Sequence, residues 1–299
     1  MHTTPVTGRG HVPISPRPEL EFAPRIAALD EVFSGRLGLH AVRLDDGESV
    51  QLRADESFPT ASVIKVSLCC AVLDLIARGE AGLRQTLRLP PPGQRVPGGG
   101  VLKQLELDSI SLKDAIELTV TLSDNVATNA LIDLCDSDRV NAYLDLIGLE
   151  QTRLLGPVDF ARIGPGLQGG IGVSTAREQT RLMTALAQER ILTPELCRYL
   201  VGVLGRQHYQ DQIPRWLPFD PYAQYHGRAQ PLTIANKTGE LDGIRADAGL
   251  LMHDQRGTLA IAVFTDGGLD LRETVDVEGS LAVAECAAAT AAHLLGFEV

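Results

Sequence analysis

Ser62 and Lys65 stand three residues apart at the start of a long apolar run, a pairing of types suited to acyl transfer. A serine hydroxyl is a weak nucleophile at neutral pH and needs a neighbouring base to take its proton as a carbonyl is attacked. Residues three apart share one helix face, so a helix over Ala61 to Arg78 brings Lys65 beside Ser62. A lysine in a dry site near a second cation can spend enough time neutral to act as that base, with Lys237 the candidate second cation; a carboxylate working through water is the alternative, and both stay open. The amino end of the same helix presents free backbone N–H groups, and that of Ser62 is placed to hold the oxyanion of a tetrahedral intermediate. Two further motifs follow in order, Ser123-Asp124-Asn125 and Lys237-Thr238-Gly239. Each motif alone has an ordinary reading: Ser62 as a helix cap, Ser123-Asp124-Asn125 as a turn boundary, Lys237-Thr238-Gly239 as a strand ending in a turn. Together those readings lose weight, because each motif falls in the element that the chemistry needs.

The elements that must position these residues follow from the hydrophobic period. Pro24 to Phe33 has helical spacing; Leu37 to Leu44 and Ser49 to Ala54 read as two strands joined at Asp45-Asp46-Gly47. The run after Ser62 is apolar on nearly every side, which predicts a buried helix. Pro90 to Gly100 reads as a loop, and its Gly98-Gly99-Gly100 lacks the Lys-Ser/Thr of a phosphate cradle. Ser111 and Ser174 or Thr175 are candidate helix N-caps, with Asp114 and Glu178 in the first turns. The segment from Gly156 to Gly172 is a Gly-rich loop long enough to be functional. Strands are expected at Thr233 to Lys237, Ala246 to His253 and Thr258 to Thr265, then a helix from about Glu273 to Leu295. This order predicts an α/β (α+β) fold in which both chain ends, 21–58 and 213–299, build one lobe. An all-α lobe, 59–212, is inserted between them, residues 1–20 form a mobile tail, and a small substrate binds in the cleft between the lobes.

Of 299 residues, 44% are hydrophobic and 22% charged, enough apolar material for a sizeable core. A net charge of −11 with no basic stretch argues against nucleic acid or an anionic membrane as partner. The five cysteines, Cys69, Cys70, Cys135, Cys197 and Cys286, lack metal-ligand spacing and read as reduced core residues. His208, His226 and His253 show no such spacing either, and Trp216 is expected near a lobe junction. Neither metal nor cofactor is expected, and oligomeric state stays open. The first nineteen residues have no uninterrupted apolar segment of the kind a secretory leader carries, which predicts a cytoplasmic protein unless a leader has been removed.

With these motifs the chain resembles the class A β-lactamase and penicillin-binding serine hydrolases. The likeness runs through GRLGLHAVRLDDGESVQLRADESFPTASVIKVSL and LKDAIELTVTLSDNVATNALIDL and resumes at NKTGELDGIRADAGLL. The resemblance implies a β-lactamase/transpeptidase-like fold, an antiparallel sheet flanked by helices plus the helical lobe. It implies that Ser123 relays a proton to the leaving nitrogen, that Asn125 holds the substrate's side-chain amide, and that Lys237 and Thr238 bind its carboxylate. Gly239 is structural, the backbone N–H of Glu240 is the second oxyanion donor, and Arg245 matches a carboxylate-binding arginine across a small deletion. The family also expects a Glu followed four residues later by an Asn in the Gly-rich loop, to position the deacylating water. Here Val158 and Arg162 stand at those positions. Asn129, which matches the residue bracing that carboxylate, is kept, and Asp159 is the candidate replacement. The expected activity is acylation of Ser62 by β-lactams with slow release; the alternatives are an esterase or D-amino-acid peptidase of the same fold, or a non-catalytic β-lactam sensor.

Overall fold

Strand-forming residues cluster at both ends of the chain, and the computed structural model, which describes residues 14–161, 170–223 and 226–298, joins them in one sheet. The chain order is α1 (Phe22–Val32), β1 (Arg36–Arg43), β2 (Ser49–Leu52), β3 (Phe58–Pro59), α2 (Ile64–Ala77), β4 (Thr86–Arg88), β5 (Ser109–Ser111) and α3 (Leu112–Thr121). Next come α4 (Asn125–Cys135), α5 (Ser137–Leu146), β6 (Arg153–Leu154), β7 (Gly172–Ser174), α6 (Ala176–Ala187) and α7 (Pro194–Leu204). The chain closes with β8 (Leu232–Leu241), β9 (Ile244–His253), β10 (Gly257–Asp266) and α8 (Glu278–Leu295). The main sheet is antiparallel in the order β2-β1-β10-β9-β8.

Both faces of this sheet are covered, and the period of two in β10 shows how. Leu259, Ile261 and Val263 join Ile26, Leu29 and Val283 beneath α1 and α8, whereas Ala260, Ala262 and Phe264 face the core built around α2. Helix α2 is buried along almost its whole length because α3, α4, α5 and α7 surround it. The predicted caps hold: Ser111 accepts the Asp114 N–H and Thr175 that of Glu178. All five cysteines are buried and unpaired. Across the outer face, Arg25 of α1 and Glu285 of α8 form a two-pronged ion pair at 2.6 and 2.9 Å, with both side chains only 2% exposed. Glu285 also accepts the backbone N–H of Arg17, and Ile14 is buried in the same layer, so the expected mobile tail is anchored from residue 14. Residues 1–13 lie outside the described part.

Three further expectations need correction. The 59–212 segment is not all-α: it carries β4 and β5 as a pair and β6 and β7 in a second small sheet with β3. Its helix α6 packs directly on β1, β9 and β10 of the main sheet. Strand β8 runs four residues past Lys237, because the reversal is made by Asp242-Gly243, with Gly243 at φ +68. The last helix begins at Glu278 rather than Glu273, where the Asp270 carboxylate takes the Glu278 N–H. The 3₁₀ turn that carries Trp216 packs against α8, and Trp216 joins the core layer on that face of the sheet.

A buried ion pair broken on one side leaves an uncompensated charge, which costs about 3–5 kcal/mol. Glu285→Ala is therefore expected to lower unfolding stability by about that amount in urea titrations. A loss of less than about 1 kcal/mol would show that water reaches the Arg25 guanidinium.

Candidate active site

Ser62 lies in a single 3₁₀ turn, Ala61–Val63, that feeds directly into α2. Ala61 holds φ +44, a left-handed conformation unfavourable for a residue with a Cβ, and it turns the chain sharply just before Ser62. Strand β8 presses against this turn. A Cβ on Gly239 would sit 2.6 Å from the Thr60 carbonyl oxygen and 3.0 Å from the Ser62 nitrogen, so only glycine permits the approach. The third residue of Lys237-Thr238-Gly239 is thus a spacing element that brings the sheet edge to the Ser62 amide.

Lys65 is fully buried and donates to the Ser123 carbonyl at 2.8 Å, the Ser123 hydroxyl at 3.0 Å and Asn125 Oδ1 at 2.8 Å. The first two motifs are therefore tied through one ammonium whose hydrogen-bond partners are neutral. Burial pushes the Lys65 pKa well below the usual lysine range, and the nearby charge of Lys237 pushes it the same way. Lys237 is also fully buried, with Nζ donating to the Thr238 carbonyl at 2.7 Å, and burial lowers its pKa to about 7 against the opposing pull of Asp247. Asp247 is in turn raised to about 7 by burial, although Asn236 Nδ2 and the Ile213 N–H both donate to it. Among the described residues no cluster of His, Cys, Asp or Glu could hold a metal ion.

The second motif owes its shape to a loop that sequence reading left without a role. Asp124 caps α4 through Oδ1, which accepts the Val126 and Ala127 N–H groups. Its other oxygen accepts the N–H groups of Val101 at 2.7 Å and Leu102 at 2.8 Å, fastening the loop to the motif. Gly100, at φ +93, has no room for a Cβ because Asp124 Oδ2 would lie 2.1 Å away. The Asn125 N–H donates to the Gly99 carbonyl and its Nδ2 to that of Pro97, while Ser123 is held at φ +53. The buried Arg95 guanidinium, donating to the carbonyls of Pro90, Leu102, Leu105 and Leu107, gathers the rest of the loop. The triple glycine was the available signal in this loop, although Asp124 lies more than twenty residues further along the chain.

Ser62, Ser123, Asn125, Thr238, Glu240 and Arg245 all line one cleft of about 800 Å³. Val158, Phe160 and Tyr209, the last two not singled out from sequence, close it. Asn129 brackets Val158, accepting its N–H at 2.8 Å and donating to its carbonyl at 3.0 Å, so the brace is present with an apolar side chain above it. Asp159 departs from expectation. Its carboxylate turns back to accept the Ala161 N–H at 2.9 Å, and the cleft wall there is made by its neighbours Val158 and Phe160. Arg162, read at the second loop position, lies outside the described residues. Arg245 reaches the cleft, but its Nη2 is held by Glu240 at 2.7 Å and its Nη1 by the carbonyls of Leu241 and Ile244.

The chain matches the beta-lactamase enzyme family over residues 21–294. A β-lactamase of Amycolatopsis lactamdurans is 32% identical over 263 residues, covering 86% of this chain and 80% of that protein. One from Streptomyces fradiae is 29% identical over 272 residues, covering 88% and 83%. The crystal structure of a β-lactamase from Sphaerobacter thermophilus has the same fold, with a TM-score of 0.78 at 28% identity over 90% of this chain and 95% of that one.

The Lys237–Asp247 pair sets a pH limb. With Lys237 near 7, its ammonium is present below that pH and lost above it, so the rate of reaction with a carboxylate-bearing substrate should fall as pH rises through about 7. Asp247 raises the Lys237 pKa. Asp247→Asn should therefore move the limb to lower pH, as read from the pH profile of kcat/KM, whereas an unmoved limb would remove Asp247 from any electrostatic role.

Proposed function

This chain belongs to the beta-lactamase enzyme family and is a serine β-lactamase-like hydrolase, and from that premise we propose that β-lactams acylate Ser62 quickly and leave it slowly. The observation that carries the reading is the unequal furnishing of the two half-reactions. For acylation the cleft holds a nucleophile at a helix start and a depressed-pKa lysine bonded to Ser123. In that step the Ser62 Oγ–carbonyl bond forms, the lactam C–N bond breaks, and the serine proton reaches the ring nitrogen by way of Lys65 and Ser123. Lys237 and Thr238 hold the substrate carboxylate, Asn125 its side-chain amide, and the N–H groups of Ser62 and Glu240 the oxyanion.

Release requires water to add to the ester carbonyl and lose a proton to a base. Val158, buried and gripped by Asn129, offers no such base, and the Asp159 carboxylate is committed to its own turn. A positioned general base contributes about 10²–10⁴-fold, so its lack slows deacylation far more than acylation. Small-molecule β-lactams are the substrate class, and none of the described helices is long and apolar enough to cross a membrane.

A chromogenic cephalosporin should give a burst of about one equivalent followed by slow turnover, with a matching mass increase on the intact protein. Val158→Glu, placed on the Asn129 brace, should speed deacylation by about tenfold or more while leaving the burst rate near its original value. Asp159→Asn should leave deacylation unchanged. Turnover without a burst, or unchanged deacylation in a folded Val158→Glu protein, would contradict the reading.

A further inference from the structure

On strands β8 and β9, Glu240 and Arg245 are direct cross-strand partners, the last pair but one before the Asp242-Gly243 turn. Both line the cleft. Arg245 is nearly buried, with 6% of its side chain exposed, and its donors toward the chain are satisfied by the carbonyls of Leu241 and Ile244. Its Nη2 is met at 2.7 Å by the carboxylate of Glu240, whose side chain is 58% exposed. The guanidinium that could receive a substrate carboxylate is therefore already neutralised from within the sheet. Asp242 and Glu273 add negative charge to the same wall, and the ammonium groups of Lys65 and Lys237 are fully buried.

Taken with the proposed acylation of Ser62, on which the inference rests, we propose that Glu240 is a specificity residue that occupies Arg245 and handicaps substrates carrying a carboxylate at the sheet side of the cleft. An anionic substrate must either draw Arg245 away from Glu240 or bind beside an unrelieved like charge. A substrate that is neutral there meets no such opposition, and one carrying a cation gains from it. The backbone N–H of Glu240 serves the oxyanion whatever its side chain, so this selectivity is separable from the chemistry at Ser62.

The test compares a cephalosporin with its carboxyl methyl ester, measuring the second-order rate of Ser62 acylation by intact mass in the wild type, Glu240→Gln and Glu240→Ala. Both substitutions should raise the rate for the free carboxylate by about tenfold and that for the ester by less than about twofold, shifting the ratio toward the acid. Equal changes for acid and ester, or a fall in the acid rate with both variants folded, would overturn the role of Glu240 while leaving Ser62 as acyl acceptor. No adduct from either compound in any of the three proteins would instead overturn the acylation reading, and the role of Glu240 with it.

Discussion

Two lysine side chains lie buried under one cleft, and Lys65 reaches only neutral acceptors. Taking an ammonium out of water is costly unless it is hydrogen-bonded, and a second ammonium nearby adds to the cost. The surrounding architecture answers that constraint. Ser123 adopts a left-handed conformation in which both its carbonyl and its hydroxyl face Lys65, and Asn125 supplies the third acceptor. Asp124 holds those two residues in place by capping α4 on one side and seizing the glycine loop on the other. The mass of apolar side chains around α2 gives this polar group a rigid seat. Depressed basicity follows from that burial, and it is the property a serine nucleophile needs from its neighbour.

The same economy of residues underlies the proposed divergence of attack and release. The groups proposed for acylation come from rigid elements: a helix start, a helix cap and a sheet edge brought close by Gly239. The side chain that the family resemblance expects for deacylation is carried by a loop, and there Asn129 grips the backbone of a valine. The brace holds an apolar side chain, so the loop is positioned there without a carboxylate at Val158. On the sheet side the cleft is furnished in the opposite sense, since Glu240 supplies a carboxylate where substrate would bring its own.

Much of this was legible in the sequence because it rested on local pattern. The buried helix after Ser62, the caps at Ser111 and Thr175, and the three motifs are all short-range signals that packing reinforced. The missed features are those in which side chains distant in sequence meet. The last residues of β8 read as a turn because Thr238-Gly239 resembles one, whereas Gly239 is required by the approach of Ser62. The Pro90–Gly100 segment read simply as a loop, whereas Asp124, more than twenty residues on, takes the amides of Val101 and Leu102 just after it. Asp159 was chosen for its charge, and only the bond to Ala161 shows the carboxylate committed elsewhere. The Glu240–Arg245 pair needed the strand register.

The claim from which the rest follows is that a single side chain, Ser62, accepts the acyl group. Digesting the protein after brief exposure to a penicillin, and locating the added mass by fragmentation, tests it most directly. The account predicts modification confined to Ser62 and absent from a folded Ser62→Ala protein. An adduct on any other residue, or one that persists in that variant, would contradict it.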